Sequence, residues 1–99
     1  MTVLAPFIPS YTQGITVAPT PTSANSVLGA GAKSLCFTNL GGVACYVRIS
    51  GAPAPATAAD YVILPLTQIV LEKPQDFSNV SYVTAASTGS LHIMPGEGF

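Results

Sequence analysis

Charge is what this chain has least of. The first 32 residues contain no Asp, Glu, Lys, Arg or His, and the first charged side chain is Lys33. Only 7% of the 99 residues are charged, against about 25% in an ordinary soluble domain. The formal net charge is −1, which excludes both the basic footprint of a nucleic-acid binder and an acidic mimic of nucleic acid. Long hydrophobic runs are missing too. A membrane span needs about 20 consecutive apolar residues, and the most apolar stretch, residues 62–71, is shorter and contains Pro65, Thr67 and Gln68. The start lacks the basic residues of a signal peptide, and Pro6 and Pro9 interrupt its apolar residues. No nucleic-acid partner, no membrane and no Sec-type export are therefore expected. Cysteine is sparse, with only Cys36 and Cys45, so a secreted disulfide scaffold is not indicated. His92 is the single histidine, which excludes a histidine metal cluster. No cofactor is expected.

What is present falls into two parts. Residues 1–32 are rich in Pro, Thr, Ser and Ala, with Pro6, Pro9, Pro19 and Pro21 among scattered large apolar residues. Disordered tails usually carry charge, and regular structure does not tolerate such prolines. The composition therefore predicts an extended arm lying on another protein, with a short strand at residues 14–18 and a connector at 23–32 containing Gly29 and Gly31. Residues 33–99 read as one small β domain, with Lys33 at the hinge. A core of that size supplies only a few kcal/mol of net stability, and together with the bare surface this predicts a homo-oligomer or a covered subunit.

Period-two alternation and turn residues dominate after Lys33. Strands are predicted at 34–39, 43–50, 61–64, 67–72, 77–85 and 90–94. Leu40-Gly41-Gly42 reads as a hairpin turn between the first two, which would set Cys36 opposite Cys45. Both a cross-strand disulfide and two reduced, buried thiols fit that pairing, and the second is expected from cytosolic redox conditions. Pro53 and Pro55 mark a surface loop, Pro65 a bend, residues 73–76 a solvated turn, and Pro95 the end of the sheet. Six to seven short strands with turn signals between them predict an all-β fold, a small antiparallel β-sandwich or barrel.

No catalytic constellation is legible. His92 alternates with Leu91 and Ile93 and belongs on an outer face; no G-x-S-x-G elbow accompanies it. Asp60, Glu72, Asp76 and Glu97 lie on separate loops and strand ends, which is no acid–base pair. Asp60 is placed to cap a turn. Arg48, mid-strand on an outer face, must reach solvent or pair across an interface. Asn79-Val80-Ser81 matches a glycosylation acceptor, but it lies inside a predicted strand with no signal peptide before it. Phe37, Tyr46, Tyr61, Phe77 and Tyr82 read as core, since too few basic residues accompany them for a nucleic-acid stacking platform. The residues expected to touch a partner are Phe7, Ile8, Tyr11, Ile15 and Val17 of the arm, with Arg48.

The run Val47-Arg48-Ile49-Ser50-Gly51, with Ala56-Thr57-Ala58-Ala59-Asp60-Tyr61, Leu64-Pro65 and the ending Thr88-Gly89-Ser90-Leu91-His92-Ile93-Met94-Pro95-Gly96-Glu97-Gly98, resembles small virion proteins of tailed bacteriophages. In that group a variable amino-terminal part precedes a compact β domain with a T-G-x-L-x-x-x-P-G-E-G tail. The resemblance spans residues 34–98 and rests on structural turns; the uncharged arm matches no motif of the group. It implies a non-enzymatic capsid decoration (cement) protein, assembled in the host cytoplasm onto the capsid exterior, with the major capsid protein as partner. A tail, neck or fibre-anchoring protein is the alternative, and a carbohydrate- or host-surface-binding module a third. On the decoration reading the arm clamps neighbouring capsid subunits, so removing residues 1–22 is expected to abolish particle binding and leave the β domain folded.

Overall fold

A computed structural model describes residues 7–28, 32–74 and 76–97. These residues form nine strands and no helix: β1 (Ile8–Pro9), β2 (Ile15–Val17), β3 (Ala24–Val27), β4 (Ser34–Asn39), β5 (Cys45–Ser50), β6 (Tyr61–Ile63), β7 (Gln68–Glu72), β8 (Asn79–Thr84) and β9 (Leu91–Glu97). All pairings are antiparallel. One sheet, here sheet A, runs β1-β9-β4-β7, with β2 also on the free side of β9; sheet B runs β3-β8-β5-β6. The chain is thus a small β-sandwich. The orders β2-β9-β4-β7 and β3-β8-β5-β6 are those of a jelly roll, in which, from β2 onward, every successive pair but β5–β6 passes from one sheet to the other.

Alternation decides which side chains fill the space between the sheets. Leu35, Phe37, Leu91 and Ile93 from sheet A meet Cys45, Val47, Ile63, Val80 and Tyr82 from sheet B, and Ile15, Val17, Ile49, Ile69 and Leu71 pack around them. Leu35 and Phe37 of β4, Cys45 and Val47 of β5, and Val80 and Tyr82 of β8 face inward, each pair two residues apart. The aromatic residues divide: Phe37 and Tyr82 are core, Tyr46 and Phe77 are half-buried, and Tyr61 is exposed.

The amino-terminal residues differ most from expectation. Over the described residues the arm lies on its own domain. Ile8 and Pro9 pair with Glu97 and Gly96, and Ile15–Val17 pairs with Ile93–Leu91. The chain then crosses to sheet B, where Ala24–Val27 pairs with Tyr82–Asn79. The crossing is pinned: Thr84 N donates to Thr20 O at 2.9 Å and Gly89 N to Pro19 O at 2.8 Å. Residues 1–6 of the arm and the connector glycines Gly29 and Gly31 lie outside the described residues. The prolines permit this course because they fall in two-residue edge pairing or between strands, where no ladder donor is required. Three of the nine strands therefore come from residues assigned to the arm, and Lys33 is no hinge, since its N–H donates to Gly96 O and its carbonyl accepts from Lys73 N.

The predicted β4–β5 hairpin does not form, because the two strands belong to different sheets. Asn39 holds the crossing instead. Its Nδ2 donates to Val43 O (2.8 Å) and Ile63 O (3.1 Å), and its Oδ1 accepts from Gly41 N. One buried amide thus satisfies backbone groups of the β4–β5 crossing and of β6 together. Cys36 sits opposite Val70 and Met94 instead of Cys45, and both cysteines are free.

Pro95 does not end the sheet either: β9 runs through it to Glu97. Its carbonyl accepts from Ser10 N at 2.8 Å, so its missing donor points to the same side, where the ladder already breaks between β1 and β2. Beyond it, a Cβ built on Gly96 would lie 2.4 Å from Ile8 O and 2.6 Å from Phe7 Cζ. Only hydrogen fits between β9 and β1.

Two outcomes follow from this packing. Gly96→Ala should push β1 off the sheet and lower stability by about 1–3 kcal/mol, read as a lower urea midpoint with faster amide exchange at Ser10. Deleting residues 1–22 should markedly destabilise or unfold the sandwich, because it strips the outer partner of β9 and uncovers the core at Ile15 and Val17. A cooperative melt unchanged from that of the full chain would contradict this.

Candidate functional site

Two surface regions stand out. The first is a concavity of about 310 Å³ on the outer face of sheet A, lined by Phe7, Pro9, Cys36, Thr38, Gln68, Val70, His92 and Met94. Alternation creates it: Cys36 and Thr38 leave β4 on the face opposite Leu35 and Phe37, and His92 and Met94 leave β9 opposite Leu91 and Ile93. The amino-terminal residues form one wall. Gln68 Nε2 donates to Thr38 Oγ1 at 2.9 Å, joining β7 to β4 across the floor. His92 thus stands on an outer face as expected, next to Thr16 and Thr38 in register. Asp60 belongs to the sheet B side of the molecule, so these two residues share no site. Counting His, Cys, Asp and Glu, the described residues contain no group of three that could hold a metal ion.

The second region is the lateral edge where β6 turns into β7. Tyr61, Val62, Leu64 and Leu66 are all exposed there, Leu66 at 78%, and Leu40 is exposed on the neighbouring β4–β5 crossing. Asn39 draws the two crossings together, since Asn39 N also donates to Thr67 O at 2.9 Å. Leu66 has φ 56°, the left-handed region that costs an ordinary side chain about 1–2 kcal/mol. β6 is an outer strand of sheet B with one side unpaired. Sequence reading took this stretch as a strand, a proline bend and a strand. Its exposure could not be read from one chain, because it depends on which strands end up at the margins.

The residues expected to touch a partner scatter. Ile15 and Val17 are half-buried and pack on the protein's own core, so they are not presented outward. Phe7 lines the concavity and abuts Gly96. Ile8 and Tyr11 are exposed, at 62% and 75%. Arg48 is paired within the chain: its Nε donates to Asp60 Oδ1 at 3.1 Å, with the Arg48 side chain 45% exposed. Asp60 caps a turn as expected, its Oδ2 accepting from Thr57 N at 2.8 Å. That hydrogen bond holds the carboxyl below its ordinary value of 3.8, slight burial opposes it, and Arg48 adds to the lowering.

The 73–76 turn is not fully solvated. Lys73 is only 5% exposed, and its Nζ donates to Ala32 O at 2.6 Å. Burial pushes its pKa down, and the charges of Asp76 and Glu97 push back. A lysine next to a proline and an aspartate reads as solvent-facing in one dimension. Only the return of residue 32 to this point buries it. On the outer face of sheet B the 51–59 loop folds inward, with Ala56 buried and Ser81 Oγ donating to Ala54 O.

No protein-family model matches the chain, and no curated protein matches it. Among solved structures, the chain is similar to one described as "Crystal structure of PirA", with a TM-score of 0.59 and 16% identity over 87% of this chain and 95% of that one. At that identity the likeness is one of fold.

The Arg48–Asp60 turn has a defined pH signature. A carboxyl whose folded pKa is lowered stabilises the protein above its ordinary value, and that contribution is lost as the pH falls through the folded value. Asp60→Asn should therefore lower stability near neutrality by about 0.5–1 kcal/mol, the range of an exposed pair plus a cap. The gap to the unaltered chain should close as the pH drops below 3.8. Parallel denaturation series across that range read it directly.

Proposed function

We propose that this chain is a non-enzymatic virion structural protein of the capsid decoration type, docked onto the major capsid protein through the β6–β7 edge. The observation that carries this reading is Leu66, 78% exposed and held at φ 56° in a run with exposed Tyr61, Val62 and Leu64. Three further points support it. The chain has few charges with which to keep an apolar edge dispersed in water. The jelly roll is used by viral capsid domains, although it also serves lectins and so weighs only as analogy. The turn motifs at residues 47–61 and 88–98 resemble those of small phage virion proteins.

Decoration on this reading works by burial. Each leucine-sized side chain removed from water contributes about 1.5–3 kcal/mol. A subunit seated across a joint between capsid subunits adds that energy to the closed lattice, which would otherwise open under internal pressure. The amino-terminal residues contribute by completing the sandwich, with Ile8 and Tyr11 left outward for a secondary contact. Self-association on the capsid exterior fits the same bare surface.

Quantitative mass spectrometry of purified virions of the phage encoding the chain should find it at high copy number, as lattice symmetry demands of a cement protein. A few copies per particle would favour the tail, neck or fibre-anchoring alternative, and absence would overturn the virion reading. Leu66→Gly separates docking from folding. Relief of the left-handed cost (about 1–2 kcal/mol) is partly offset by glycine's backbone entropy (about 0.5–1 kcal/mol), so stability should change by no more than about 1 kcal/mol while particle occupancy falls. Full occupancy by this variant would show that the edge is not the attachment surface.

A further inference from the structure

The concavity on sheet A gathers a thiol, a thioether and an imidazole. Cys36 on β4 is the direct cross-strand partner of Met94 on β9, and His92 lies two residues away on the same face of β9. All three line the same depression. Directly opposed residues of an antiparallel pair have Cβ atoms about 5 Å apart, and diagonal ones stay within reach of long side chains. Metal–sulfur and metal–nitrogen bonds of about 2–2.3 Å set donor atoms about 4 Å apart, a separation these positions can meet. The methionine and histidine already converge. A Cβ on Gly14 would lie 2.8 Å from Met94 Cε and 3.0 Å from both Cε1 and Nε2 of His92, so the thioether methyl and the imidazole edge meet under one glycine.

We infer that Cys36, His92 and Met94 form a binding site for a soft monovalent d10 cation, Cu(I) in nature and Ag(I) as its redox-inert counterpart. Thiolate, thioether and imidazole are donors suited to copper, and the first two select Cu(I). Charge selects the valence. None of the eight lining residues is a carboxylate, lysine or arginine, so one thiolate and one monovalent cation sum to zero in apolar surroundings. A divalent ion would leave an uncompensated positive charge there. Binding releases the Cys36 proton to solvent and involves no electron transfer. Polar neighbours are in place: Thr38 follows Cys36 by two residues on the same face of β4 and lines the same depression, and its hydroxyl is held by Gln68 Nε2. Such partners orient a ligand and tune its basicity. Cys45, fully buried between the sheets, takes no part and serves as the internal control.

The test is titration of the full chain with Ag(I) in thiol-free buffer, followed by native mass spectrometry and by NMR of the His92 ring and the Met94 methyl. One Ag(I) should bind, both signals should shift, and the Ala56 methyl under sheet B should not move. Cys45→Ser should bind as the unaltered chain does, and Cys36→Ser should lose the site. Met94→Leu and His92→Gln should each weaken binding by about tenfold or more, a loss that even outer-shell changes produce at metal sites. If both of these bind as the unaltered chain does, a lone thiol is responsible and the inference falls. It also falls if binding is lost with Cys45→Ser, or if the His92 and Met94 signals of the unaltered chain stay fixed. Those two signals need no variant, so a substitution that fails to fold cannot hide the answer. Virion copy number does not enter this readout, so its outcome is independent of the decoration reading.

Discussion

The free side of β9 is the constraint on which the rest of the structure depends. β9 lies against β4 on one side, and only β1 and β2 cover the other. Without them the last strand would expose an unpaired edge with Leu91 and Ile93 behind it, and sheet A would lose Ile15 and Val17 from its margin. The match is tight where Gly96 admits Ile8 and Phe7 and interrupted where Pro95 cannot donate. A chain this small cannot spare its first strands. An uncharged, proline-broken segment is thereby converted from a tail into structural edge.

The same pairing makes both surface features. Phe7 and Pro9 wall the concavity on sheet A, and Gly14 brings β2 close enough to press on His92 and Met94. Because the amino-terminal strands seal one lateral margin, the opposite margin, β6 and the 64–67 connection, is left to carry exposed apolar side chains. Asn39 governs that margin by tying two crossings with one amide. Among the described residues no buried side-chain nitrogen or oxygen lacks a partner. The exposed leucines at the β6–β7 edge therefore belong to a sandwich whose interior is complete.

Reading by period succeeded where one strand was judged against itself. Leu35 and Phe37 sharing one face of β4, the outward His92 and the Asp60 cap all follow from local alternation or turn chemistry. It failed where a partner had to be chosen. Leu40-Gly41-Gly42 has hairpin composition, yet a jelly roll sends the chain across to the other sheet, and a glycine turn serves a crossing as well as a hairpin. Lys73 looked solvated because its burial comes from residue 32, 41 positions away. Cys36, His92 and Met94 are ordinary in sequence, spread over 59 residues, and acquire a shared chemistry only through the β4–β9 register.

The sequence by itself determined an all-β chain of short antiparallel strands and the alternation of side chains along them. Those properties are set by residue type and local spacing. The tertiary structure alone decided that the uncharged beginning belongs to the sandwich, which two strands lie at its margins, and which distant side chains share a surface. Pairing partners and edges depend on long-range closure. Alternation with period two says which way a side chain points and nothing about what stands beside it.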